Sequence, residues 1–382
     1  SSDLGDGTVI GLDARLALRD AVVMNGILVH GLDYDDTYLP GSVHLSASCV
    51  PVVLGMGAHA GANGRDMLMA AVLGLEIGAR VAAAARGGFV NAGFHATGIA
   101  GAFGSAVAAG RLMKLNAEQH MLAQGVALSL TSGTLQPLQE GSWTKRVHPG
   151  WAGASGITAA AFARAGYVAP AQAYEGHFGL YSCFLGEHKA SAQPQAVVEG
   201  LGESWEFTRT SIKLFPACHQ LHAFMNCAIK LAKEQKFNAE NVETVRALVA
   251  DAAVPLVCEP RASKLKPASS YSAQFSLPYS VACALTRGRF GLNEIEAPSY
   301  TDGELLKLAN KVSYEIDPDS GFPKSRSGEV IVKMKDGREL RHRDNILPDE
   351  PASAESIVAK FMQNTDGILA LERAERVRDT VL

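Results

Sequence analysis

The chain has 382 residues, of which 47% are hydrophobic, 19% charged and only 7% aromatic, and its formal net charge is −4. That length exceeds what one hydrophobic core usually serves, so two domains are expected. The slight acidic balance leaves no electrostatic footprint for nucleic acid or an anionic membrane surface, and any anionic ligand must be caught by a local basic pocket.

The six cysteines, Cys49, Cys183, Cys218, Cys227, Cys258 and Cys283, are scattered without C-x-x-C spacing. That usage fits reduced thiols in a cytoplasmic protein. The chain shows no secretory signal, and because its first residue is not Met, the true N-terminus is expected upstream.

Asp13 to His30 carries Leu16, Val23 and Ile27 on one stripe with Arg15, Arg19 and Asp20 off it, which predicts an amphipathic helix. It leads into Gly31 to Ser46, GLDYDDTYLPGSVHLS, where Asp33, Asp35, Asp36, Thr37 and His44 crowd a loop broken by Gly and Pro. Carboxylates beside a core are costly unless donors, cations or a ligand use their charge, so this loop is expected to be the floor of a site. Capping of the next helix by Asp35 or Asp36 is the competing reading for either acid alone.

Leu45 to Ala60 and Asp66 to Ala85 read as two further helices, rich in Ala and Gly, whose small side chains allow close approach of helix axes. Glu76 and Arg80 in the most apolar run argue for a buried helix rather than a membrane span. His95 stands ahead of another small-residue helix, and Asn116 with Gln119 makes a capping-box pattern. Ser129 to Gly150 is polar and turn-rich, placing Lys145, Arg146 and His148 together, and Ala152 to Ala165 is helical again.

Past Thr208 the character changes. Ser211 to Pro216 is extended, His219 to Lys233 helical, and Val242 to Asp251, Lys311 to Ile316 and Val330 to Met334 read as strands. Asp336-Gly337 is a hairpin turn into Arg338 to Arg343. Tyr271 to Thr286 and Glu304 to Asn310 read as helices, the second opened by a Thr301/Glu304 capping box. The expected fold is mostly α: a helical domain from residues 1–210 and 346–382, the tail docking back onto the first body, with an inserted α+β lid domain at 211–345.

Five blocks occur in order: LDYDDT with its following His, GFHATG, WTKRVHPGWAG, IKLFPACHQLH and AQFSLPYSVA. Together they resemble the MmgE/PrpD family, which includes 2-methylcitrate dehydratases, cis-aconitate decarboxylases and iminodisuccinate epimerases. The resemblance covers nearly the whole chain and implies a large helical domain, a smaller lid and a homodimer. It also implies that residues usually preceding Ser1 in the family are missing from this sequence.

Carried over by position, the site comprises Asp33, Thr37, His44, His95, Lys145 and Lys213. One branch of the family has a histidine where this chain has Cys218, so His219 and His222 are both candidates for a lid imidazole, and Tyr279 is another candidate. Histidines titrate near neutrality and suit general acid and base roles, here His44 and His95. Lys145 and Lys213 can stabilise an enolate-like dianion, with Arg146 as a helper and Thr37 on a carboxylate oxygen. Asp33 is expected to orient an imidazole or keep a lysine charged. The implied activity is that of a lyase on a small di- or tricarboxylate in the cleft between the domains, a hydro-lyase of the 2-methylcitrate type first, with decarboxylation or epimerisation as alternatives.

No metal or organic cofactor is expected, and the Gly-rich runs lack the strand context of a dinucleotide fingerprint. A metal-dependent hydrolase using Asp33, Asp35, Asp36, His44 and His95 is the rival from another class, although these residues have no recognised ligand spacing.

Overall fold

The computed structural model describes residues 5–13, 15–140, 142–347 and 352–381. The chain is mostly α and divides into two compact units, one holding residues up to Gly31 and Asp35–Ser211, the other Leu32–Tyr34 and Ile212–Leu382.

Unit 1 is helical. Its longer helices are α1 (Leu18–His30), α2 (Leu45–Ala60), α3 (Gly64–Ala84), α4 (Ala96–Leu112), α5 (Ala117–Leu130) and α6 (His148–Arg164). α1 begins later than its amphipathic pattern suggests, because Arg15–Leu16 pairs as a short strand with Gly7–Thr8. The Asn116/Gln119 capping box opens α5 as expected.

Small residues set the helix spacing. A Cβ on Gly104 of α4 would lie 2.4 Å from the Gly74 carbonyl oxygen of α3, and one on Gly26 of α1 would lie 2.4 Å from Gly150 Cα of α6. Backbones in such contact leave no room for any side chain, so glycine is required at these crossings. The Gly26–Gly150 crossing lies one turn before His30 and two residues after His148, so it fixes how the ends of α1 and α6 meet.

α3 alone among the described helices is long and apolar enough to cross a membrane, but half of its most apolar stretch is buried within the protein. It also carries a buried ion pair: Arg80 Nε donates to Glu76 Oε1 at 2.5 Å. The same guanidinium donates to the carbonyls of Glu199 and Ser204, at 2.6 and 2.9 Å. The pair is satisfied on all sides, as a buried pair must be, and α3 is a core helix.

α2 starts without a cap from its preceding residue, His44. Asp36 fills that role from a distance: its carboxylate accepts from the Ser46 N–H at 3.1 and 3.2 Å and from the Ser46 hydroxyl. Burial, and then the charge of Asp35, push the Asp36 carboxyl up to about 6.

Unit 2 is α+β. Strands β1 (Val242–Val249), β2 (Val312–Ile316), β3 (Arg326–Met334) and β4 (Glu339–Ile346) form one sheet in the order β2-β1-β3-β4. β1 runs parallel to β2 (Val245 opposite Val312) and antiparallel to β3 (Val245 opposite Val332). β3 and β4 form the hairpin that Asp336-Gly337 predicts.

The longer helices of unit 2 are α7 (His222–Glu234), α8 (Leu277–Arg287), α9 (Gly303–Ala309), α10 (Ala354–Thr365) and α11 (Leu371–Val381). Two expectations change here. Asp302, not Thr301, caps α9, accepting from the N–H groups of Glu304 and Leu305, because the Thr301 hydroxyl is bonded back to Ala297 O. The C-terminal helices group with unit 2, not with the helical unit assigned to them from sequence. Lys360 of α10 explains the attachment, since its Nζ donates to Tyr34 O and Lys213 O at 2.7 Å each.

Two measurements probe these features. Gly26→Ala must separate α1 from α6, and the expected outcome is a loss of about 1 to 3 kcal/mol in denaturant unfolding, together with impaired activity because the ends of both helices move. For Asp36, a raised carboxylate pKa means the folded chain holds the proton more tightly. Its contribution is complete below the ordinary carboxylate value near 4 and is lost as pH rises through about 6. Asp36→Asn is therefore expected to melt above the parent at pH 7.5, by the equivalent of about 3 kcal/mol, with the difference vanishing near pH 4.

Candidate active site

Unit 1 gathers four imidazoles, a lysine and two carboxylates where α1, α2, α4 and α6 end or begin. His30 is the last residue of α1, His44 and His95 immediately precede α2 and α4, and His148 opens α6. Ring centroids lie 4.8 Å apart for His30 and His44, 5.5 Å for His30 and His95, 5.9 Å for His44 and His95, and 5.2 Å for His95 and His148.

Hydrogen bonds fix most of the protons. His30 Nδ1 is 2.7 Å from Asp35 Oδ2, both side chains being sealed from solvent. Its Nε2 is 3.0 Å from Lys145 Nζ. An ammonium can only donate, so His30 accepts at Nε2 and gives its Nδ1 proton to Asp35. The result is a chain of carboxylate, imidazole and ammonium.

His44 Nδ1 is 2.7 Å from the backbone oxygen of Asp36, which can only accept. Its neutral form therefore carries the proton on Nδ1 and a lone pair on Nε2. Asp35 Oδ1 lies 3.6 Å from the same Nδ1, and Thr37 Oγ1 lies 3.5 Å away. His44 keeps 13% of its side chain exposed, so a ligand can meet it.

His95 and His148 face each other through Nδ1 atoms 3.0 Å apart, so one donates and the other accepts. Burial, followed by the charge of Lys145 and the neighbouring imidazoles, holds His95 well below the usual histidine range. His148 is lowered to about 4 by burial, then by His30 and Lys145. Both rings are neutral at physiological pH. His95 Nε2 is buried and has no hydrogen-bond partner among the described residues.

His30, His44 and His95 offer ligand atoms within 4.8 Å of one another, a span that one divalent ion can bridge. The Lys145 ammonium beside His30 Nε2 opposes a second cation there.

Unit 2 holds most of the remaining sequence candidates. Lys213, 1% exposed, donates to Asp33 Oδ1 and to Asp33 O at 2.8 Å each. Asp33 therefore pairs with a lysine, and the acid that meets an imidazole is Asp35. Asp33 has a φ of 49°, a left-handed conformation that Asp tolerates better than most residues. His219 and His222 pack with centroids 4.6 Å apart. His222 Nε2 is 3.3 Å from Ala217 O, and burial, then the charge of Lys213, lower its pKa to about 3.

Tyr279 stands apart from these groups. It is fully buried in the core of unit 2 and its hydroxyl donates to Glu294 O at 2.5 Å, so it serves packing. Arg146 lies over the exposed Trp143 ring, 5.0 Å from its centroid.

Sequence reasoning brought out His44, His95, Lys145 and Thr37, which the structure places together. It passed over His30 as a helix end, used Asp35 as part of an acidic loop, as a helix cap or for a metal, and gave His148 no role. The HGLDYD stretch was the available signal, since a turn at Gly31 brings His30 and Asp35 together.

Comparison with known proteins follows the same division of the chain. The family model for the MmgE/PrpD N-terminal domain matches residues 3–193 and that for the MmgE/PrpD C-terminal domain matches 215–382. The chain is similar to the cis-aconitate decarboxylase-like protein oryM of Aspergillus oryzae, 23% identical over 394 residues, covering 98% of this chain and 81% of that protein. It is also similar to a cis-aconitate decarboxylase of Aspergillus terreus, at 25% identity with 98% and 80% covered. The cis-aconitate decarboxylase of Homo sapiens is 25% identical, with 95% and 76% covered. Matched along both of its halves, the chain belongs to the MmgE/PrpD family.

Proposed function

We propose that the protein is a lyase that acts on a small di- or tricarboxylate at a carbon next to a carboxylate, using its own side chains for acid–base chemistry. The observation that carries this reading is the Asp35–His30–Lys145 chain set beside the imidazoles of His44 and His95. A lysine lodged against an imidazole and its carboxylate can supply positive charge where an enolate oxygen develops. Two further imidazoles can supply a base and an acid.

The first reading is dehydration of the 2-methylcitrate kind. His44 Nε2 takes the proton from the carbon next to the carboxylate, the electron pair forms the double bond, and the hydroxyl leaves as water with a proton from a second imidazole. His95 is the candidate donor after it has taken up a proton. Thr37 is assigned to a substrate oxygen. Decarboxylation is the second reading, favoured by the similarity to cis-aconitate decarboxylases. There the carbon–carbon bond breaks, carbon dioxide leaves, and the electron pair is quenched by a proton from the same imidazoles. Epimerisation of an amino-linked diacid needs the same proton removal and return. A homodimer in the cytoplasm is part of this proposal.

The decisive experiment assays purified protein against 2-methylcitrate, citrate, cis-aconitate and iminodisuccinate, following alkene formation, carbon dioxide release and loss of optical activity separately. Turnover of at least one is expected, and inactivity toward all of them overturns the reading. His44→Gln is expected to lose about two to four decades in kcat with little change in directly measured ligand affinity. Lys145→Ala is expected to lose affinity and rate together, because its charge meets the anion before any bond breaks. Near-normal turnover by His44→Gln would transfer the proton step to His95.

A further inference from the structure

His30 and Asp35 are joined in the chain by Gly31 and by Leu32, Asp33 and Tyr34, the last three of which belong to unit 2. Leu32 to Tyr34 form neither helix nor strand. Their three successive carbonyls instead accept from three side chains of unit 2. Gln274 Nε2 donates to Leu32 O, Lys213 Nζ to Asp33 O at 2.8 Å, and Lys360 Nζ to Tyr34 O at 2.7 Å.

Two of these side chains also hold a second stretch of backbone. Lys360 Nζ donates to Lys213 O at 2.7 Å, and Gln274 Nε2, just ahead of α8, donates to Pro216 O at 3.1 Å. Each therefore ties segment 32–34 to segment 213–216. The Tyr34 side chain strengthens the tie: its hydroxyl donates to Leu214 O at 3.1 Å, and Lys360 Nζ stands 3.9 Å from its ring centroid.

Two features mark this as an arrangement kept for its geometry. Gln274 is fully buried, and turning its amide nitrogen to both carbonyls leaves its Oε1 without a hydrogen-bond partner among the described residues. An orphaned buried acceptor is costly, and an apolar side chain of the same shape would not incur that cost. Asp33, between the two ties, has the left-handed φ of 49°. A residue persists in such a conformation only where its surroundings over-determine it, and such residues cluster at functional sites.

The consequence falls on the neighbours in the chain. His30 is fixed as the last residue of α1, whereas Asp35 follows directly on Tyr34. The 2.7 Å contact of Asp35 Oδ2 with His30 Nδ1 therefore depends on where the carbonyls of Leu32 and Tyr34 are held. A hydrogen bond of this kind weakens steeply when its geometry is lost.

We infer that Lys360 and Gln274 are positioning residues, which set Asp35 against His30, and through His30 act on Lys145, by fixing the carbonyls on either side of Asp33. Their bearing on turnover rests on the lyase reading; their bearing on the Asp35–His30 hydrogen bond does not.

The test follows the His30 Nδ1 proton by NMR of the full chain isotopically labelled at histidine nitrogen, the resonance being identified by its loss in His30→Gln. In Lys360→Met and in Gln274→Met, exchange of that proton with water is expected to quicken on the order of tenfold to a hundredfold. On whichever carboxylate the parent turns over, kcat/KM is expected to fall on the order of tenfold in each variant. Lys360→Arg, which keeps donors for both carbonyls, is expected to restore most of both. In an Asp35→Asn background, Lys360→Met is expected to cost less than about a further twofold in kcat/KM, because the contact that it supports is already gone.

Unaltered exchange in either variant that folds overturns the inference, as does a His30 proton that already exchanges freely in the parent. Losses that multiply in the Asp35→Asn background overturn it too, since Lys360 would then act by another route. Failure of both single variants to fold overturns it as well, because the two side chains would then serve the fold. Quickened exchange without turnover of any offered substrate by the parent leaves this inference standing and sinks the lyase reading, while turnover by the parent with unaltered exchange in the variants does the reverse.

Discussion

The active cluster of unit 1 depends on backbones that touch. Where Gly26 meets Gly150 and Gly74 meets Gly104, helix axes come closer than any side chain would permit. This close approach places the end of α1 against the start of α6, and with it His30 against Lys145. Polar groups can then bond across helix ends while the helix bodies remain dry and aliphatic. A larger residue at either crossing would separate donor from acceptor long before it unfolded the unit.

Within that frame the governing term is electrostatic. Four imidazoles and one lysine inside a single core cannot all carry charge at once. Burial drives His95 and His148 toward neutrality, while Asp35 fixes His30 beside Lys145. Asp36 is largely occupied with holding the start of α2. Adjacent acids in the sequence thus have different work, one electrostatic and one structural. Unit 2 has its own such contact in Asp33 and Lys213, a buried lysine bonded to an aspartate from the same short loop.

Much of this was legible in the residues themselves. The helical body, the Asn116 cap, the strands and the Asp336-Gly337 hairpin follow from local periodicity and turn chemistry. The loop from Gly31 to Ser46 was marked by its density of acids. What local pattern does not carry is assignment across distance. His30 and Lys145 are 115 residues apart, and Asp33 and Lys213 are 180 apart. Tyr279 occurs in a motif that attracts attention, yet its hydroxyl is consumed by a backbone carbonyl. The C-terminal helices were misplaced because an amphipathic helix states which face is buried, not against what.

The capture of Leu32–Tyr34 by unit 2 has a consequence for the order in which the chain matures. Gly31 and Asp35 on either side belong to unit 1, yet Asp33 is held by Lys213 and Tyr34 O by Lys360, 326 residues further on. On the ribosome the helices of unit 1 can pack once their own residues have emerged, but this three-residue segment takes its partners from Lys213, Leu214, Gln274 and Lys360, all of which are made later. Asp33, with its left-handed backbone, meets its lysine only after residue 213 has been made. The loop from Gly31 to Asp35 therefore cannot reach its final bonding until the residues of unit 2 that hold it have been made.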